Sequence, residues 1–151
     1  MKLLTRKADK KDLEIIVSLL ANDVVASKRE DSSKPLNSNY INAFENIAKD
    51  PNQYLMVVED NQQIIGTFHM TLLPSLTYTG KNRLLIEAVR VDESYRGNGI
   101  GQWMIEQAIL FGKENDVSMI QLTTDKQRPK AIEFYKKLGF KDSHVGMKYH
   151  L

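Results

Sequence analysis

The sequence predicts an α/β fold, one sheet layer with helices on its faces, from three observations. Apolar residues recur at helical spacing in four separate stretches. Period-two or continuous β-rich runs lie between them, and a glycine cluster joins one of those strands to the next helix. The elements run β-α-α-β-β-β-α-β-α-β. No internal repeat, low-complexity segment or long linker interrupts them, so residues 1–151 read as a single domain.

Residues 3–5 form a short apolar strand. Leu13, Ile16, Val17, Leu20 and Val24 then keep the i, i+3, i+4, i+7, i+11 spacing of an amphipathic helix, with Asp9 or Asp12 available to cap it. Residues 27–39, SKREDSSKPLNSN, are nearly devoid of apolar side chains and carry a proline, which reads as a loop. Ile41, Phe44, Ile47 and Ala48 mark a second short helix. It ends at Asp50-Pro51, because the residue before a proline is driven out of the helical region.

Two β-rich runs, 54–59 and 63–73, flank the polar turn Asp60-Asn61-Gln62 and predict an antiparallel hairpin. A further strand, 83–91, follows a turn at 79–82. Its alternation puts Leu85, Glu87, Val89 and Val91 on one face and Ile86, Ala88 and Arg90 on the other. After the glycine cluster, Ile100, Trp103, Met104, Gln107, Ala108 and Phe111 make a wide helical stripe that ends near residues 112–115. Residues 118–123 form a strand. Pro129 suits a first helical turn, Ala131, Phe134, Tyr135 and Leu138 supply an apolar face, and Gly139 closes that helix. From Phe140 onward, with residues 147–151, one or two terminal strands are expected.

Composition narrows the chemistry. With 42% hydrophobic and 26% charged residues the chain can bury a proper core. Its 21 basic against 19 acidic residues leave a net charge of +2, little electrostatic reason to expect nucleic acid. The absence of cysteine excludes disulfides, thiolate nucleophiles and Cys-ligated zinc, and His69, His144 and His150 have no close metal spacing, so no metal is expected. The first twelve residues lack an apolar signal core, and no run approaches the roughly 18 apolar residues of a membrane span; a cytoplasmic protein is expected.

The segment 89–101, VRVDESYRGNGIG, carries the strongest functional signal. Glycines let backbone amides approach a ligand closely, and a following helix N-terminus adds unpaired N–H groups and partial positive charge, a combination suited to phosphate. Gly97, Gly99 and Gly101 run G-x-G-x-G, which fits neither the dinucleotide G-x-G-x-x-G nor the Gly-Lys-Ser/Thr loop of nucleotide triphosphatases.

The segment instead resembles the acetyl-CoA signature R/Q-x-x-G-x-G/A of the GNAT N-acetyltransferases, with Arg96, Gly99 and Gly101 in the pattern. Residues 131–140, AIEFYKKLGF, are similar to that family's second segment, A-x-x-F-Y-x-x-x-G-F. The resemblance implies one domain with a mixed, mostly antiparallel sheet flanked by helices, acetyl-CoA as cosubstrate, and direct transfer to a primary amine without an acyl-enzyme. It implies that Arg96, Gly97, Asn98, Gly99, Ile100 and Gly101 hold pyrophosphate, and that the strand Val89-Arg90-Val91 pairs with the pantetheine arm as an added strand would.

Transfer needs a base for the amine and an acid for the departing thiolate. Tyr135 resembles the family's acid, a phenol being protonated at neutral pH by its reference pKa of about 10, although its place on the Ala131 and Leu138 stripe also suits packing alone. Glu87 is the base candidate, directly or through water; pairing with Arg83 or Arg90 would account for it structurally. His69 and His144 stand in reserve. With Tyr78 they are also the acceptor-side residues the resemblance marks, near the loop 27–39 and the second helix. Arg128 stands where many members have a cofactor-contacting asparagine; it cannot accept a hydrogen bond but suits a phosphate. The expected partner is a small amine, with a homodimer as common family practice. A non-catalytic acyl-CoA-binding regulatory module on the same fold is the competing reading.

Overall fold

The computed structural model describes residues 1–23, 25 and 28–151. The last apolar position of the first predicted helix, Val24, and the first residue of the predicted loop, Ser27, lie outside the described residues. The chain divides into two compact units, Met1–Gln121 and Leu122–Leu151.

The first unit begins with β1 (Leu3–Lys7), one turn of 3-10 helix (Lys10–Asp12) and α1 (Leu13–Ala21). Then come α2 (Ser38–Lys49), β2 (Gln53–Asp60), β3 (Gln63–Leu73), the four-residue turn α3 (Thr77–Gly80), β4 (Arg83–Val91), α4 (Ile100–Glu114) and β5 (Met119–Leu122). Asn37 caps α2 by accepting from the Asn39 amide at 2.9 Å, so that helix starts inside the predicted loop. The strands lie in the order β1-β2-β3-β4-β5, and β1 to β4 are antiparallel neighbours.

Helices cover the sheet on both faces. Leu13, Val17 and Phe44 from α1 and α2 gather with Leu55 of β2 on one face. On the other, Phe111 of α4 meets Tyr54 edge-on at 4.6 Å between ring centroids, and Met104 approaches Gly66. Two-sided cover explains why β3 reads as a nearly continuous apolar run rather than a clean alternation. From Ile65 to Leu72 every residue of β3 is buried except His69.

The end of β1 is fastened by charge. Arg6 donates to Asp12 at 2.6 and 3.1 Å and to Glu59 at 2.9 Å, and Asp12 also accepts from the Asp9 amide at 2.7 Å. Asp12, 3% exposed, is thereby satisfied where a lone carboxylate would be costly. Of the two predicted caps, Asp12 occupies the N-cap position of α1 without a side-chain cap bond, and Asp9 precedes the 3-10 turn, with its carboxylate 3.7 Å from Arg6 and 3.8 Å from Lys11.

β4 departs from its predicted alternation. Thr67 of β3 pairs with Arg90 and His69 with Glu87, so two residues of β3 span three of β4. The extra residue makes a β-bulge, and Ala88 adopts a left-handed φ of 53° there. Directly opposed residues share a face, so Glu87 and Arg90 stand together on the α1/α2 face while Val89 and Val91 turn to the other. The expectation that Glu87 and Val89 share a face is therefore corrected: the inserted residue shifts everything after Glu87 by one.

The second unit contains α5 (Pro129–Lys137) with proline at its start. It ends in a Schellman motif: Gly139, φ 92°, donates to Lys136 O at 3.0 Å and Phe140 to Tyr135 O at 3.1 Å. That motif gives the Gly-Phe pair of the second segment a structural reason. The predicted terminal strands do not form. Residues 141–151 are irregular, and Val145, Met147, Tyr149 and Leu151 are exposed. The apolar alternation is present, but no strand in the described chain pairs with it, and unpaired strands do not persist in water.

Candidate functional site

The site grows out of the end of β4. The Asp92 amide bonds Ile65 O at 2.8 Å, which points residue 92 toward β3. Strand alternation then turns the backbone groups of Val89 and Val91 the other way, to an edge that a peptide-like ligand can pair with. Two arginines decorate that edge. Arg90 Nη1 donates to Val89 O at 2.8 Å and Arg96 Nε to Val91 O at 3.1 Å.

Asp92 caps a 3-10 turn, Glu93–Tyr95, by accepting from the Ser94 amide at 2.9 Å. Asn98 then donates from its side chain to Tyr95 O at 3.0 Å, folding the loop back on that turn. Gly97 and Gly99 have φ of 82° and 76°, a region that other residues enter at a cost of about 1–2 kcal/mol. A Cβ at either would meet nothing within 4 Å, so the backbone borders open space. Trp103 donates to Gly99 O at 3.0 Å. The amides of Ile100, Gly101 and Gln102 precede that first helical bond and have no intrahelical acceptor, and among the described residues no side-chain cap bond is made there.

This loop ends in a fifteen-residue helix whose dipole adds positive potential at the same place, so the arrangement fits a pyrophosphate. Ile100 is 1% exposed and anchors the helix in the core, leaving only its backbone to serve a ligand. The exposed Arg96 side chain is held along the surface: besides Val91 O it donates to Asn22 O at 3.2 Å, at the C-terminus of α1. Arg90 Nε lies 3.8 Å from Asp23. The loop is thus tied to the end of α1, a link with no sequence signature.

On the α1/α2 face, Leu55, His69 and Glu87 form one row across β2, β3 and β4. Glu87 is exposed; the His69 Nε2 is sealed from solvent with no hydrogen-bond partner among the described residues. Burial holds the His69 imidazole below the ordinary histidine pKa, and the charge of Glu87 works in the opposite direction. Tyr78 is exposed in the α3 turn with a left-handed φ of 52°.

Tyr135, Arg128 and His144 belong to the second unit. The Tyr135 ring packs edge-on against Phe134 and Phe140, with centroids 5.1 and 5.8 Å away. Arg128 is the N-cap residue of α5, and its carbonyl accepts from the Ala131 amide at 3.0 Å. His144 is exposed, with its Nδ1 2.8 Å from Ser143 Oγ. Sequence reasoning missed the bulge at Ala88. The available signal was two charged residues, Glu87 and Arg90, three apart in a strand whose strict alternation puts them on opposite faces.

Among solved structures, one described as a transcriptional regulator from Bacillus halodurans C-125 is 46% identical with a TM-score of 0.96, over 99% of this chain and 100% of that one. A predicted acetyltransferase with acetyl-CoA from Clostridium acetobutylicum is 26% identical with a TM-score of 0.75, over 99% and 96%. The glucosamine 6-phosphate N-acetyltransferase of Trypanosoma brucei brucei is 30% identical over 89 residues, 59% of this chain and 58% of that protein. The chain spans between 23% and 58% of the length of such curated relatives. The acetyltransferase (GNAT) family model matches residues 20–140, across the bulged strand, the glycine loop and α5, and the chain belongs to that family.

Proposed function

We propose that this protein is a cytoplasmic N-acetyltransferase, one domain over residues 1–151, that transfers acetyl from acetyl-CoA directly to a primary amine of a small molecule. The observation that carries the reading is the loop between β4 and α4. Its uncapped amides border open space at the N-terminus of a long helix, beside a strand edge turned outward by a bulge. The residues 96–101 would hold the pyrophosphate and Val89 and Val91 the pantetheine amides, with Arg128 directed to a phosphate. Acetyl-CoA supplies an activated thioester.

In the transfer, Glu87 takes a proton from the acceptor ammonium, directly or through water. The free amine forms a bond to the acetyl carbon, the carbon–sulfur bond breaks, the Tyr135 hydroxyl protonates the thiolate, and the second proton lost by the nitrogen restores the Tyr135 hydroxyl through water. Exposure of Glu87 on the α1/α2 face supports its meeting an acceptor there. Tyr78, His69 and His144 remain the acceptor-side candidates. A small-molecule acceptor is supported by relatives such as the glucosamine 6-phosphate enzyme. The test is acetyl-CoA turnover across a panel of small amines and peptides, beside calorimetric titration of CoA. Turnover of an amine confirms the reading. CoA binding without turnover of any amine favours the second reading, a regulatory acyl-CoA-binding module, which the description of the 46% identical structure as a transcriptional regulator supports.

A further inference from the structure

We propose that His69 is a positioning residue for proton transfer, sharing with Glu87 the proton removed from the acceptor. The inference rests on the reading of Glu87 as base, and three observations carry it. His69 lies directly opposite Glu87 in the antiparallel β3/β4 pair, immediately before the bulge, so the side chains rise from one face with Cβ atoms about 5 Å apart. It is the single residue not fully buried between Ile65 and Leu72 of β3. Its Nε2 nevertheless has no hydrogen-bond partner.

A histidine kept in a sheet core for structure is expected to satisfy its buried nitrogen, since an unmet polar group costs roughly 1–3 kcal/mol. This one has no partner among the described residues, while the charge of its cross-strand neighbour Glu87 acts on the ring. Among the described residues, Glu87 is the one charged group acting on His69: its neighbour across β2 is Leu55, and no charge from α1 or α2 contributes. A neutral imidazole with a vacant nitrogen next to a carboxylate is a second seat for a proton.

The proton leaves the ammonium nitrogen for the Glu87 carboxylate and passes to the unprotonated nitrogen of the ring. Glu87 is then again an anion facing the attacking amine, and the imidazolium it stabilises returns the proton to solvent through the exposed carboxylate after transfer. An imidazole across the strand pair gives the departing proton a second seat and leaves the carboxylate anionic.

The experiment has two arms on the intact protein. By NMR without ligand, the protonation midpoint of the His69 ring is followed in wild type and in Glu87→Gln; the proposal expects it to move to lower pH in the variant, because an attractive charge is removed. In kinetics with any accepted amine, His69→Gln is expected to lower the kcat/KM plateau by roughly 10-fold or more, within the range for proton-transfer groups, and to move its acid limb to lower pH. An unmoved NMR midpoint, or an unchanged pH profile in folded His69→Gln, overturns the proposal. If wild type turns over no amine, the acetyltransferase reading fails, and the NMR arm still decides whether the two groups are coupled.

Discussion

Gly99→Ala is the smallest change that interrogates the loop. The structure separates its effect on the fold from its effect on a ligand. At φ 76° an alanine costs about 1–2 kcal/mol, which a domain with stability of about 5–15 kcal/mol tolerates. The new Cβ meets no protein atom within 4 Å, so nothing in the chain has to move for it. If the amides around residue 99 face pyrophosphate, that methyl group stands where the ligand approaches. A loss of about 1.4–2.8 kcal/mol in CoA binding, a 10- to 100-fold weaker Kd, is expected. Gly80→Ala is the matched control, with φ 77° and equally empty surroundings but outside the loop. Both variants should melt earlier, by a few degrees; calorimetry should show weakened CoA binding only for Gly99→Ala. Equal CoA affinity in the two folded variants would refute the cradle.

Three further outcomes are expected. Glu87→Gln should slow turnover by about 10²- to 10⁴-fold with partial recovery at high pH, measured as initial rates across a pH series; an undiminished rate moves the base elsewhere. Tyr135→Phe should keep the ring contacts with Phe134 and Phe140 and leave CoA affinity within a few-fold while turnover drops, and full activity with loss only in Tyr135→Ala would show packing alone. The Arg6 guanidinium holds the Asp12 carboxyl below the usual carboxylate range despite its burial. A depressed carboxylate pKa stabilises the fold above the unfolded value and loses that contribution as pH falls through the folded one. Acid unfolding followed by circular dichroism should therefore begin at higher pH in Asp12→Ala. That variant should also lose stability near the lower end of about 3–5 kcal/mol at neutral pH, because Arg6 is one-third exposed and retains Glu59.

Most of the architecture was legible because local signals agreed with one another. The hairpin of β2 and β3 announced itself through its polar turn, α4 through its stripe, and the helix end at Gly139 through a residue able to adopt positive φ. The glycine loop was legible for the same reason, glycine spacing being a backbone property written into the sequence. What escaped was decided by neighbours. Alternation in residues 83–91 cannot disclose which residue β3 leaves unmatched, so the faces after Glu87 were assigned wrongly. The apolar alternation at 145–151 signals strand, yet a strand needs a partner, and the described chain offers none. The bonds from Arg96 to Val91 and Asn22 join residues up to 74 positions apart and leave no local trace.

The bulge in β4 acts on the strand as a frameshift acts on a message. One additional residue at Ala88 changes the phase in which every later side chain is read, without altering any of them. Upstream, Leu85 and Glu87 answer to one face; downstream, Val89 and Val91 answer to the other. Mutational drift can therefore remodel the side-chain surface at the early positions while the late ones keep a constant backbone edge. Deleting Ala88 would restore strict alternation and leave Arg90 on the side occupied by Glu87, with a single residue between them. A short strand thus holds two independently variable surfaces in tandem.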